Sequence, residues 1–169
     1  MPAGKSFDET SMGETFGAAL TVTETHLVLA AGLFGDFNPL HVDEAHAAGS
    51  RFGGRVLHGP FTSALMSAPL GMYFHTTAIA YLEHTCRFKA PVRPGDTLRT
   101  TWTIVGRVDK PKQHGGLVEL TGLCENQEGV VVAEASGKIL VANRAAAGRP
   151  RAAVNPPSST SRSRRPRRY

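Results

Sequence analysis

The 169-residue chain contains no run of eighteen or more apolar residues, so no stretch of it is suited to cross a bilayer as a helix. Its first residues lack the basic-then-apolar pattern of a secretion signal, and a cytoplasmic location is expected. Cysteine is scarce. Cys86 and Cys124 are the only two; they fall on different expected strands, and free buried thiols are expected rather than a disulfide. No His-Glu-x-x-His or Cys-x-x-Cys pattern occurs. His41, His46, His58 and Asp43 come nearest to a metal set, but an i, i+5 spacing does not put two imidazoles on one helix face. No metal is expected. A glycine-rich phosphate loop is missing too, and no internal repeat is visible, which points to one structural unit.

Acid is absent from one end of the chain. Residues 144–169 hold eight arginines and no Asp or Glu. The other 143 residues carry 11 bases and 14 acids, a net −3. The formal charge of +5 and the pI near 9.6 therefore describe a tail, not a domain. The tail is built of Ala, Gly, Pro, Ser and Arg, which cannot form a core, so we expect a disordered, solvated appendage. A nucleic-acid role would rest on that tail alone, and neither nucleic acid nor membrane is an expected partner. With 41% hydrophobic residues and a mean hydropathy of −0.17, the rest of the chain suffices for one soluble domain with a core. The expected division is a flexible N-terminus over 1–12, a domain over 13–143 and the Arg/Pro/Ser-rich tail over 144–169.

Within the domain, Ala18 to Val22 reads as a strand. Thr23 reads as the N-cap of a helix over Glu24 to Leu33, with Leu27, Val28 and Ala31 at helical spacing. Asp43 reads as the N-cap of a short helix through Ala48 that Gly49 ends. Residues 60–71 are apolar on nearly every side (Phe61, Ala64, Leu65, Met66, Ala68, Leu70), the pattern of a buried helix. Four segments rich in β-branched and aromatic residues follow: 79–88, 97–108, 117–124 and 130–141. Turn residues separate them at Pro94-Gly95-Asp96 and Asn126-Gln127-Glu128-Gly129, while 109–116 reads as a mobile connection. One strand, then helices, then four long antiparallel strands is an α+β order with a sheet around a helix. Trp102 and the strand aromatics read as core or as a subunit surface.

What stands between the first helices is more pointed. Asp36 and His41 lie five residues apart, with Gly35 before them and Pro39 between. Gly35 admits backbone conformations that a Cβ hinders, and Pro39 fixes its own φ and pushes Asn38 to an extended shape. Such a kinked turn can aim a carboxylate and an imidazole into one pocket. Further on, Gly59-Pro60 opens the buried helix, since proline is favoured in a first helical turn. Free Asp and His side chains titrate at about 3.9 and about 6.5, so near neutrality one is basic and the other exchanges protons. Unpaired N–H groups at a helix start, backed by the helix dipole, suit a developing oxyanion. These parts together suit the addition of water to a double bond conjugated with a thioester.

The segment Gly35-Asp36-Phe37-Asn38-Pro39-Leu40-His41, with the small Ala47 six positions on, resembles the signature of the MaoC-like, or R-specific, enoyl-CoA hydratases. His58-Gly59 before a helix and Phe88-Lys89-Ala90-Pro91-Val92-Arg93-Pro94-Gly95-Asp96 resemble the next landmarks, and the likeness covers roughly 10–142. It implies a single hot-dog domain, an antiparallel sheet wrapped around the central helix 60–71, and a homodimer formed through sheet edges. On this reading Asp36 and His41 are expected to bind the attacking water together. Asp36 would take its proton, and His41 would help deliver a proton to the α-carbon. The Gly59 N–H would meet the thioester oxygen. Asn38 and His58 would support the loop, and Ser67 would either place a hydroxyl near the water or bond back to its own helical turn. Phe34 departs from the family, where a small or hydroxylated residue is usual, and is expected to reshape the pocket near Asp36.

The implied substrates are 2-enoyl and (R)-3-hydroxyacyl thioesters of coenzyme A or an acyl carrier protein, with coenzyme A part of the substrate and no separate cofactor. Arg51, Arg55, Lys89 and Arg93 flank the expected pocket, each either a phosphate contact or solvated surface charge. Two other functions compete. A hot-dog thioesterase would hydrolyse the thioester, but one common arrangement puts a carboxylate on the central helix, and residues 60–71 contain none. A non-catalytic acyl-thioester-binding subunit would not need the acid–imidazole pair.

Overall fold

The computed structural model of the chain describes residues 4–147. Strand β1 (Thr15–Thr21) is followed by four helices, α1 (Glu24–Phe34), α2 (Pro39–Val42), α3 (Glu44–Ala48) and α4 (Gly59–Tyr73). Strands β2 (Ala78–Phe88), β3 (Thr97–Lys110), β4 (Gly115–Glu125) and β5 (Val131–Ala142) complete it. The five strands form one antiparallel sheet in the order β1-β3-β4-β5-β2. The helices therefore carry the chain from one edge of the sheet to the other, and α4 lies across its inner face. This is the expected hot-dog arrangement. None of the described helices is long and apolar enough to cross a membrane.

Alternation along β3 explains why the sheet holds the helix. Leu98, Thr100, Trp102 and Ile104 point inward and are buried, while their neighbours are more open. Met66, Leu70 and Phe74, from α4 and its C-terminal end, complete the core with Leu120 and Val118 of β4. Each such side chain stabilises the fold by about 1.5–3 kcal/mol. The Trp102 indole N–H also donates to the Met66 carbonyl at 2.8 Å, which fixes α4 against β3. The sheet embraces only part of the helix, contrary to the expectation of burial on every side. Ala64, Ala68, Gly71 and Met72, at i, i+4, i+7 and i+8, are exposed. The all-round apolar pattern reflects a helix with one face in the core and a second face of small residues left open.

The N-terminus also differs from the flexible segment expected over 1–12. From residue 4 it is packed on the domain. Gly4 and Lys5 N–H groups donate to the His75 and Tyr73 carbonyls at 2.8 and 2.9 Å. Phe7 opens a 3₁₀ turn, is buried, and lies against Gly116 of β4, where any Cβ would run into its ring. The Arg107 guanidinium also lies over that ring, 4.6 Å from its centroid. Arg144, expected as the start of the tail, belongs to the same assembly: its guanidinium pairs with Glu9 and its N–H donates to Asp8 at 2.9 Å. From residue 148 the expected tail lies outside the described residues.

The Arg144 guanidinium, with the Ser6 N–H, holds the Glu9 carboxyl down to about 2 from an ordinary 4.5. A depressed carboxyl stabilises the fold above its ordinary value, and that stabilisation is lost as the pH falls towards the lowered one. Replacing Glu9 by Gln should therefore flatten the loss of thermal stability between about pH 4.5 and 2. Phe7→Ala should lower the unfolding free energy by about 3 kcal/mol in a urea titration. A loose terminus would instead leave it within about 0.5 kcal/mol.

Candidate active site

The loop that carries Asp36 begins where α1 ends. Gly35 takes a left-handed conformation (φ 67°, ψ 18°), which costs a residue without a Cβ little. The Asp36 Oδ1 accepts the Asn38 N–H at 3.1 Å, and the Asn38 side chain accepts the Leu40 N–H at 3.0 Å. Asn38 thus caps α2, with Pro39 at its first position. The kinked turn read from the sequence contains a full helical turn, too short for any periodicity to reveal. His41 stands on it. Residues 55–58 then run between two neighbours: the Val56 N–H donates to Leu40 and the Leu57 N–H to Val92, at 3.1 and 2.7 Å. His58 ends this segment as the N-cap of α4.

His41 Nδ1 lies 2.7 Å from the Val56 carbonyl oxygen. A carbonyl cannot donate, so Nδ1 carries the hydrogen and, in the neutral ring, Nε2 presents a lone pair. That Nε2 is 3.9 Å from Asp36 Oδ2. The separation is too long for a hydrogen bond but fits two groups sharing one water. The Asp36 side chain is 54% exposed and that of His41 15%, so the pair opens to solvent on the carboxylate side. His58 is 1% exposed. Its Nε2–H donates to the Asp36 carbonyl at 2.9 Å, and its ring stacks on His41 with centroids 3.7 Å apart. Phe34 sets its ring edgewise against His58 and Phe61, at 6.0 and 6.2 Å, so the departure noted in the sequence becomes a wall behind His58.

Donor atoms of Asp36, His41 and His58 lie within 4.8 Å of one another, close enough to consider a metal ion. The two imidazoles, however, are stacked at an interplanar angle of 26°. Their in-plane lone pairs therefore lie in nearly parallel planes, one above the other, a poor match to a tetrahedral site.

Gly59 is the first residue of α4. The Phe61 and Thr62 N–H groups both bond to the His58 carbonyl, while the Gly59 N–H has no place in the helical ladder. The Phe88 ring lies so close that a Cβ on Gly59 would stand 2.9 Å from it. Gly59 also lines a cavity of about 280 Å³. A larger hollow of about 690 Å³ lies on the outer face of the sheet, among Thr101, Thr121 and Thr85, away from this chemistry.

Ser67 takes the second of its two expected roles: its hydroxyl donates to the Ser63 carbonyl at 3.1 Å. His84, which shows no constellation in the sequence, stands between two hydroxyls, Ser63 at 2.8 Å and Tyr81 at 2.5 Å. Burial depresses its basicity. Residues three apart on a regular strand face opposite sides. A bulge between Tyr81 and Glu83 turns Tyr81 and His84 to the same side. Single-strand periodicity carries no sign of it.

Residues 8–122 match the family model described as MaoC like domain. The chain is 37% identical over 106 residues to the (R)-specific enoyl-CoA hydratase of Rhodospirillum rubrum, covering 63% of this chain and 74% of the relative. It is 37% identical over 90 residues to the 3-hydroxybutyryl-CoA dehydratase of Methylorubrum extorquens, covering 53% and 57%. Among solved structures, R-hydratase PhaJ1 from Pseudomonas aeruginosa superposes with a TM-score of 0.73 at 30% identity, over 82% of this chain and 86% of that one. The chain belongs to the MaoC-like family.

The fit of Phe88 over Gly59 makes a specific demand. Gly59→Ala should destabilise the domain by about 1–3 kcal/mol. Adding Phe88→Leu should recover part of that loss, a coupling that a double-mutant cycle in urea would read. Additive losses would mean that the ring does not press on this position.

Proposed function

We propose that the protein is a lyase that adds water to 2-enoyl thioesters, or removes it from (R)-3-hydroxyacyl thioesters. The observation that carries this reading is the 3.9 Å gap between Asp36 Oδ2 and His41 Nε2. An ionised carboxylate and an unprotonated imidazole nitrogen are both acceptors, so a group that donates to both fits between them. A water there has both hydrogens engaged and a lone pair free to attack. Its oxygen adds to C3 of the enoyl group while Asp36 accepts one of its protons. Charge moves to the thioester oxygen, where the Gly59 amide and the dipole of α4 stabilise it. The same proton then passes to C2, guided by His41, since the resting Nε2 has none of its own to give. His58 acts through Asp36 by holding its carbonyl, and Asn38 through the cap on α2.

The names of the relatives support this substrate class, and R configuration at C3 follows from the same likeness. Coenzyme A enters with the substrate and leaves with the product. A second copy belongs to the reading as well. Strand β2 pairs on only one side, and the open stripe of α4 offers small residues to a symmetric neighbour.

Crotonyl-CoA offers the test, followed by loss of the conjugated enoyl absorbance beside a free-thiol assay. Wild-type protein should bleach the absorbance without releasing thiol; thiol release would mean a thioesterase. Asp36→Asn and His41→Ala should each lower kcat by about 10²–10⁴ with unchanged circular dichroism. Near-normal turnover in either folded variant would contradict the proposal.

A further inference from the structure

The cavity beside Gly59 has an uneven wall. Phe52, Val56, Leu57, Phe88 and Val92 make its sides apolar, and Arg51 and Lys89 stand on its lining as the only charged residues. No carboxylate lines it, although residues 1–143 are acidic on balance. The cations of this region are not equally free. Arg55 is spent on Glu24 and Glu44, at 2.7 and 2.8 Å. Lys89 pairs with Glu134 at 2.9 Å, and Arg93 is bonded to the Phe52 carbonyl. Arg51 has no carboxylate partner among the described residues, and its guanidinium lies over the Phe52 ring at 4.9 Å.

We propose that this cavity takes the carrier end of the substrate, with Arg51, flanked by Lys89, binding the diphosphate of a coenzyme A thioester whose carbonyl rests at Gly59. The assignment rests on the hydration reading for the position of the carbonyl. The apolar sides suit the pantetheine arm, which is mostly uncharged and extended. Stacking on Phe52 orders the Arg51 guanidinium before any ligand arrives, so little rotamer freedom is lost when it forks onto phosphate oxygens. A free arginine at the mouth also selects the nucleotide carrier. A thioester on a carrier protein brings a single phosphodiester and lacks the adenosine bisphosphate.

Crotonyl-CoA and crotonyl-pantetheine share the thioester and the arm but differ in the phosphates and nucleotide, and they separate the possibilities. For the wild type, KM should be lower with crotonyl-CoA. Arg51→Ala should raise KM for crotonyl-CoA about five-fold or more, with kcat held, and should leave the KM for crotonyl-pantetheine where it was. Free coenzyme A, which keeps the diphosphate, should bind the wild type by calorimetry, lose most of that affinity in Arg51→Ala, and bind more weakly as salt rises. A variant that shifts both substrates equally or neither, or that binds free coenzyme A as well as the wild type, overturns the assignment. So does a wild type that prefers crotonyl carrier protein to crotonyl-CoA. The calorimetric arm needs no turnover, so the subsite stands or falls separately from the hydratase reading.

Discussion

A single hydrogen bond, from His41 Nδ1 to the Val56 carbonyl, decides what the rest of this site can do. It commits the ring hydrogen to the protein and leaves Nε2 as an acceptor facing Asp36. With the opposite tautomer the two groups would be a donor and an acceptor, free to close on each other without a third party. With this one they need a donor between them. Much of the local backbone serves that bond. The segment carrying Val56 is held by Leu40 on one side and Val92 on the other, Asn38 starts the helical turn that lifts His41, and His58 pins Asp36 from behind.

The fold supplies the second half of the arrangement. Helix α4 crosses from one sheet edge to the other, and its N-terminus emerges beside the Asp36 loop because His58 is at once its cap and the partner of Asp36. Core packing through Trp102 and Met66 keeps the helix from sliding along the sheet. In the proposed reaction, an amide at the head of a fixed helix costs nothing to orient when charge appears, which is the advantage of preorganised over solvent dipoles. Phe88 crowds that place, so a side chain on residue 59 would have to push its ring aside.

How much of this was legible in the sequence depended on distance along the chain. Thr23 and Asp43 are seen as caps because their partners, the helices they begin, follow at once, and Asp43 does accept the His46 N–H at 3.0 Å. Composition and turn residues place the strands β2 to β5 to within a few residues. Asp36, His41 and Gly59 were visible as a pattern of residue types. The one-turn α2 was not, being shorter than the period that would identify it. Phe7 reads as loose in the sequence because Gly116, which makes room for its ring, lies over a hundred residues away. The place of His84 is not legible in the sequence because a bulge in β2, invisible in single-strand alternation, turns it towards Ser63. The apolar surround of α4 reads as complete burial, whereas a helix that exposes small residues has the same composition.

The tautomer of His41 is open to direct observation. With the protein labelled at the histidine ring nitrogens and held above the titration range of free imidazole, one- and two-bond nitrogen–proton correlations assign each ring. The account predicts that His41 carries its hydrogen on Nδ1, with Nε2 showing the shift of an unprotonated nitrogen. A His41 ring protonated at Nε2 would remove the acceptor from the gap to Asp36, and with it the place of the water in the proposed reaction.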